Sequence, residues 1–203
     1  MRRKQNLGRK HIERTRKRTP VRVFALSDSA SLGTLRYGHM VFRAALGGRG
    51  VRTVKREGDG AAPLGSWPIL WAYYRPDKVR HPKTGIPLHP IRQDAGWCDE
   101  PEDRNYNRPV GLPYKASAER LWRDDGLYDL VVVIDYNLRS RSKGRGSAIF
   151  MHAAHPAWDP TAGCIAISLG HLRQLLAALR PRTSVAVGKN LPQRPQRGRR
   201  GLR

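Results

Sequence analysis

The strongest constraint on the fold is residues 127–136, LYDLVVVIDY, whose centre is five apolar residues in a row: Leu130, Val131, Val132, Val133 and Ile134. A strand with one face in water alternates apolar with polar residues, whereas an unbroken β-branched run marks a strand covered on both faces. At 203 residues the chain has the length of a single domain, one that buries roughly 70% of its unfolded surface.

A glycine-rich, basic turn at residues 139–146 brings the chain back into the stretch 146–168, GSAIFMHAAHPAWDPTAGCIAIS. The apolar residues Ala148, Ile149, Phe150 and Met151 lead to His152, a loop with two prolines follows, and Thr161, Ala162 and Gly163 run into Cys164. The two residue types have a joint chemistry. A free thiol, with a pKa of roughly 8.5, is mostly protonated at neutral pH, and only its thiolate attacks a carbonyl. An imidazole beside it takes the proton and later returns it to a leaving amine. Gly163 allows a sharp turn and a close backbone approach, which lets the amides near Gly163 and Cys164 face a developing oxyanion. Against this, a lone cysteine is ordinarily a small buried hydrophobe, and spacing without a known pattern does not make a site.

The stretch resembles the catalytic segment of the L,D-transpeptidase (YkuD) family, bacterial cysteine enzymes of peptidoglycan, in which a histidine on a strand precedes a loop and a Ser/Thr-x-Gly-Cys signature. Thr161, Ala162, Gly163 and Cys164 match the signature, and His152 stands in the place of the family histidine. Upstream, residues 57–67 (EGDGAAPLGSW) resemble the family's Gly-x-x-x-Thr-Pro-x-Gly-x-aromatic turn, and 99–107 (DEPEDRNYN) and 128–137 (YDLVVVIDYN) extend the similarity to residues 21–187. Two positions depart from the family. Ala162 stands where histidine is frequent, and Ala166 where arginine often follows the cysteine by two.

The resemblance implies Cys164 as nucleophile, His152 as general base and acid, and Gly163 with Ala153 as backbone groups of the site, the Ala153 carbonyl orienting His152. It also implies substrate-binding roles for Thr161, His155, Tyr106 and Asn107, and a peptidoglycan peptide stem as substrate. Asp135 is a second candidate for orienting His152. His155 is a rival base in the loop, ranked behind His152.

Elsewhere, period-two alternation predicts a strand over residues 21–26, a hairpin from 34–37 and 39–46, and a strand over 51–55. The glycines at 47, 48 and 50 lack the strand-to-helix context of a nucleotide fingerprint and read as a turn. Residues 67–74 (WPILWAYY) form a core or cleft-lining strand, and 75–107 are expected to be irregular. Residues 119–123 suggest a short helical turn. Leu169, Leu172, Leu175, Leu176 and Leu179 space out an amphipathic helix, and 183–187 suggest a closing strand. The expected fold class is mainly β, an L,D-transpeptidase-like closed sandwich or barrel with one main amphipathic helix after Cys164.

His81, His89 and Cys98 fit no zinc spacing, so no metal and no cofactor is expected, and Cys98 and Cys164 are expected free. The net charge of +23 is uneven, with +8 in residues 1–20 and +6 in 188–203. These read as a basic, disordered arm and a basic tail around a 21–187 domain, a surface for anionic partners. No recognised nucleic-acid motif accompanies them, no specific nucleic-acid partner is expected, and no run approaches the roughly 20 apolar residues of a membrane span. The reading is a cysteine-dependent L,D-transpeptidase; the alternatives are a hydrolytic L,D-carboxypeptidase or endopeptidase, or a non-catalytic basic binding protein for nucleic acid or an anionic wall polymer. The resemblance implies the periplasm or cell wall, although residues 1–20 show no signal-peptide core.

Overall fold

The computed structural model describes residues 19–189, so nearly all of the basic arm and tail lies outside the described residues. Strand β1 (Val21–Ala25) buries Val21, Val23 and Ala25 and exposes Arg22, the two-residue period of a strand with one covered face. β2 (Leu32–Tyr37) and β3 (Met40–Ala45) form the expected hairpin, Tyr37 pairing with Met40 across a two-residue turn. Gly38 supplies the left-handed residue of that turn at φ +58, as tight hairpins require.

The strand expected over 51–55 is shorter. β4 (Val51–Arg52) pairs in parallel with β5 (Ala62–Pro63), and Lys55 is buried beyond its end. β6 (Gly65–Tyr74) is the aromatic segment, and β7 (Leu88–Pro90) runs parallel to its last residues.

Two expectations are corrected in the next stretch. Residues 75–107 are not irregular throughout, because they hold β7 and β8 (Ala95–Cys98), the latter central to a three-stranded antiparallel sheet with β9 (Arg108–Gly111) and β10 (Ala118–Arg120). The helical turn expected at 119–123 is not formed: Glu119 and Arg120 belong to β10, pairing with Trp97 and Gly96, and residues 121–123 follow it without helix. Intrinsic helix preferences amount to a few tenths of a kcal/mol per residue, and the ladder to β8 outweighs them.

The remaining elements are β11 (Leu130–Ile134), β12 (Phe150–Ala153), β13 (Ile165–Ile167), α1 (Leu169–Ala178) and β14 (Ser184–Lys189). β14 runs two residues past the expected end, parallel to β1 and antiparallel to β6. Strands β11, β12, β13, β3, β2, β1, β14 and β6 are neighbours in that order, and β6 also pairs with β11, so the sheet closes on itself. The described residues thus form a mainly β, closed fold with one helix after Cys164.

Closure explains why β11 is apolar throughout. Leu130, Val132 and Ile134 join Met151, Ile165 and Leu172 in the enclosed core. Val131 and Val133 point the other way and pack with Phe150, Trp97, Leu121 and Tyr128, so the small β10-β8-β9 sheet supplies the second covering layer. α1 turns Leu172, Leu175 and Leu176 into the enclosed core, and Ser168 caps it by accepting from the His171 amide at 3.3 Å. Such a cap stabilises a helix by roughly 1 kcal/mol.

Candidate active site

β12 and β13 are parallel neighbours, with Met151 opposite Ile165 and His152 opposite Ala166. Side chains alternate across a strand. Met151 and Ile165 therefore face the enclosed core, while Phe150, His152, Cys164 and Ala166 face outward. The crossover between the strands is short, and its effect is to bring a thiol and an imidazole to one face from adjacent strands. Both line a cleft of about 570 Å³.

The turn before Cys164 is fixed from within. Thr161 Oγ1 donates to the Cys164 carbonyl at 2.8 Å and accepts from the Gly163 amide at 3.2 Å. Thr161 is tied in turn to the 47–48 turn, its amide donating to the Leu46 carbonyl and its carbonyl accepting from Gly48. Gly163 sits at φ +139, and a Cβ there would lie 2.8 Å from the Ala61 carbonyl oxygen. Only glycine fits that backbone. The glycine-rich turn at 47–50 is therefore a docking edge for the Cys164 turn.

Cys164 is 8% exposed. Its Sγ–H donates to the Ala148 carbonyl at 3.2 Å, and its sulfur accepts from the Phe150 amide at 3.4 Å. Burial, reinforced by the negative charge of Glu119, pushes the thiol up to about 12, against the pull of the Phe150 amide and Lys55. His152 is also buried, and burial pulls its imidazole down to about 4, against the bond to Ala153. Both groups are thus neutral at rest, a thiol and an imidazole rather than an ion pair.

His152 Nδ1 lies 2.8 Å from the Ala153 carbonyl oxygen. A carbonyl only accepts, so in the neutral ring Nδ1 carries the proton and Nε2 keeps its lone pair. Tyr128 packs edge-on against the ring at 5.2 Å and donates its hydroxyl to Glu119 Oε1 at 2.5 Å. Burial raises the Glu119 carboxyl above its ordinary range. Arg123 lies over the Tyr128 ring at 5.1 Å and pairs with Asp125.

The other sequence candidates divide. Thr161 and His155 line the cleft, His155 at the rim with Nδ1 2.7 Å from Asp159 Oδ2. Tyr106 and Asn107 do not line it, and both are buried with their polar atoms engaged within the protein. Tyr106 is 2% exposed; its hydroxyl donates to Glu57 and accepts from the Gly146 amide at 3.0 Å, and burial with the Glu57 carboxylate holds the phenol well above its usual range. Asn107 is 1% exposed; its Oδ1 accepts from Trp97 Nε1 at 2.9 Å and the Ala148 amide at 3.1 Å, and its Nδ2 donates to the Tyr136 carbonyl. Both brace the backbone of residues 146–148 from behind. Asp135 pairs with Arg139 at 2.9 Å rather than with His152, because Ile134 ends β11 beyond the His152 register.

His81 packs on Tyr74 and His89 on Tyr73, while Cys98 is buried in β8. Among the described residues no group of three or more His, Cys, Asp or Glu is placed to hold a metal ion, both cysteines are free, and no helix is long and apolar enough to cross a membrane. Sequence reasoning missed Lys55, a buried lysine in the cleft wall. One lysine among 39 Lys and Arg residues carries no mark of its burial.

Fold and site together define a closed β domain that presents a thiol and an imidazole to one cleft. The chain belongs to the YkuD family, the L,D-transpeptidase catalytic domain, which matches residues 18–187. Among solved structures it is similar to L,D-transpeptidase 1 of Mycobacterium tuberculosis, at 12% identity and a TM-score of 0.37, over 84% of this chain and 62% of that one. It is also similar to L,D-transpeptidase 3 of Mycobacterium tuberculosis in complex with a faropenem-derived adduct, at 16% identity and a TM-score of 0.36, over 82% of this chain and 59% of that one. The chain spans about three fifths of each of those proteins. No curated protein matches it.

Proposed function

We propose that the protein is a cysteine acyltransferase acting on peptidoglycan peptide stems. The observation that carries this reading is the shared face of β12 and β13, where Cys164 and His152 meet one cleft with Nε2 of His152 free to accept a proton. A stem peptide lies in the cleft with its scissile carbonyl over Sγ. His152 Nε2 takes the thiol proton as the sulfur attacks, the carbonyl π pair moves to oxygen, and the tetrahedral intermediate collapses with loss of the amine, which leaves with the proton from Nε2.

Burial pulls the imidazole down and pushes the thiol up, so both groups rest in their neutral forms. Proton transfer therefore accompanies attack rather than preceding it. Because the Gly163 amide is engaged by Thr161 Oγ1, the backbone donor for the oxyanion is the Cys164 amide. An amine resolves the acyl-enzyme to give a crosslink; water resolves it in the hydrolytic variant of the same reading. The compartment proposed with this substrate is the periplasm or cell wall.

The test is incubation with a disaccharide-tetrapeptide, followed by chromatography and mass spectrometry. Dimers are the expected product, tripeptide alone would assign hydrolysis, and the Cys164→Ala protein is expected to give neither. Unchanged turnover by Cys164→Ala would remove the proposal.

A further inference from the structure

The chemistry above leaves one buried residue of the cleft wall without a task. The Lys55 side chain is 2% exposed, and its Nζ donates to Asp59 Oδ1 at 2.8 Å and to the Arg56 carbonyl at 3.3 Å. An ammonium carries three N–H donors, and no third acceptor occurs among the described residues. Asp59 is itself fixed, accepting from the amides of Arg56 at 2.8 Å and Ala61 at 3.0 Å, so the lysine is aimed by a rigid partner.

Two glycines make room for it. A Cβ on Gly146 would lie 2.8 Å from Lys55 Cε, and one on Gly163 3.2 Å from Lys55 Nζ, both at positive φ. The amine therefore stands beside the peptide that joins Gly163 to Cys164. A second observation comes from the same wall. Ser147 Oγ, next to Gly146, is buried, lines the cleft and lies near the Tyr106 hydroxyl without a hydrogen bond of standard geometry. A buried donor without an acceptor is costly, and the third N–H of Lys55 is such a donor in the cleft wall.

We propose that Lys55 is a further catalytic residue, whose third N–H donates to the scissile carbonyl oxygen as that oxygen becomes an alkoxide. The inference rests on Cys164 being the nucleophile. When sulfur forms its bond to the carbonyl carbon, the π pair passes to oxygen, and Lys55 and the Cys164 amide each give that oxygen one hydrogen bond. Lys55 keeps its proton throughout. On collapse the pair returns to the carbonyl, the C–N bond breaks, and the amine takes its proton from His152. With the Gly163 amide turned to Thr161, a hole made from the backbone alone would have one donor, and Lys55 supplies the second.

The experiment compares wild type with Lys55→Met in two reactions of Cys164. One is acylation by a tetrapeptide-stem muropeptide, which develops an oxyanion; the other is alkylation by iodoacetamide, which needs the thiolate and no carbonyl oxygen hole. Loss of one such donor slows chemistry by about a hundredfold or more. The expected result is a fall of about that size in kcat, with KM and the alkylation rate each within about fivefold. Parallel losses in both reactions would mean a structural role, and a raised KM with kcat intact would mean an anchor for a substrate carboxylate; either overturns the proposal. If Lys55→Met does not fold, Lys55→Gln is read in its place by the same criteria. Absence of acylation in wild type would instead count against Cys164 itself.

Discussion

The buried, neutral His152 makes a quantitative demand on stability. Its imidazole is drawn from 6.5 to about 4, chiefly by burial. At 1.36 kcal/mol per unit, that span corresponds to about 3 kcal/mol. The folded-state pKa is depressed, so the contribution is fully present above pH 6.5 and is lost as the pH falls towards 4, where the unfolded chain binds a proton that the folded ring refuses. About 2 kcal/mol of it disappears between pH 7 and 5, before most carboxylates titrate. The measurement is urea unfolding of wild type and His152→Gln at both pH values. Wild type is expected to lose about 2 kcal/mol more than the variant over this interval. Identical losses would refute the claim that His152 is held neutral by burial, and with it the neutral resting dyad.

Three further outcomes follow from the geometry. Cys164, with its thiol pushed up to about 12 from 9, carries about a thousandfold less thiolate at pH 7.5 than an ordinary cysteine; iodoacetamide labelling is expected to be slow there and to climb steadily with pH, whereas fast labelling at pH 7 would indicate a preformed ion pair. Gly163→Ala puts a methyl 2.8 Å from the Ala61 carbonyl oxygen at φ +139 and is expected to destabilise the fold by about 1–3 kcal/mol, read as a lower urea midpoint. Asn107→Ala strands the Trp97 indole N–H and the Ala148 amide, and is expected to reduce stability by about 2–4 kcal/mol; a change in KM with stability untouched would return Asn107 to the substrate.

What the sequence made legible was periodic or local. The apolar run of β11, the leucine spacing of α1 and the hairpin of β2 and β3 each state their structure within about ten residues, as does the pair of His152 and Cys164. The β10-β8-β9 sheet could not be read this way. Its strands are three or four residues long, carry Gly96, Pro109 and Gly111, and exist because Trp97 pairs with Glu119 and Pro109. Lys55 was invisible for a related reason. Its position is defined by Gly146 and Gly163, distant in sequence, and no local pattern announces that two glycines will clear space for one lysine. Tyr106 and Asn107 sit close to the site, as their place in the motif implied, but their polar atoms are consumed by Glu57, Trp97 and the backbone of residues 146–148, a distinction that only the folded geometry makes.

Acylation of Cys164 is the step on which the proposed chemistry depends. It is tested most directly by intact-protein mass spectrometry after incubation with a carbapenem or a tetrapeptide-stem muropeptide, with peptide mapping of wild type and Cys164→Ala. Wild type is expected to carry an adduct that maps to Cys164 and is absent from the variant. A folded wild-type protein that remains unmodified by both compounds, or an adduct that persists in Cys164→Ala, would contradict it.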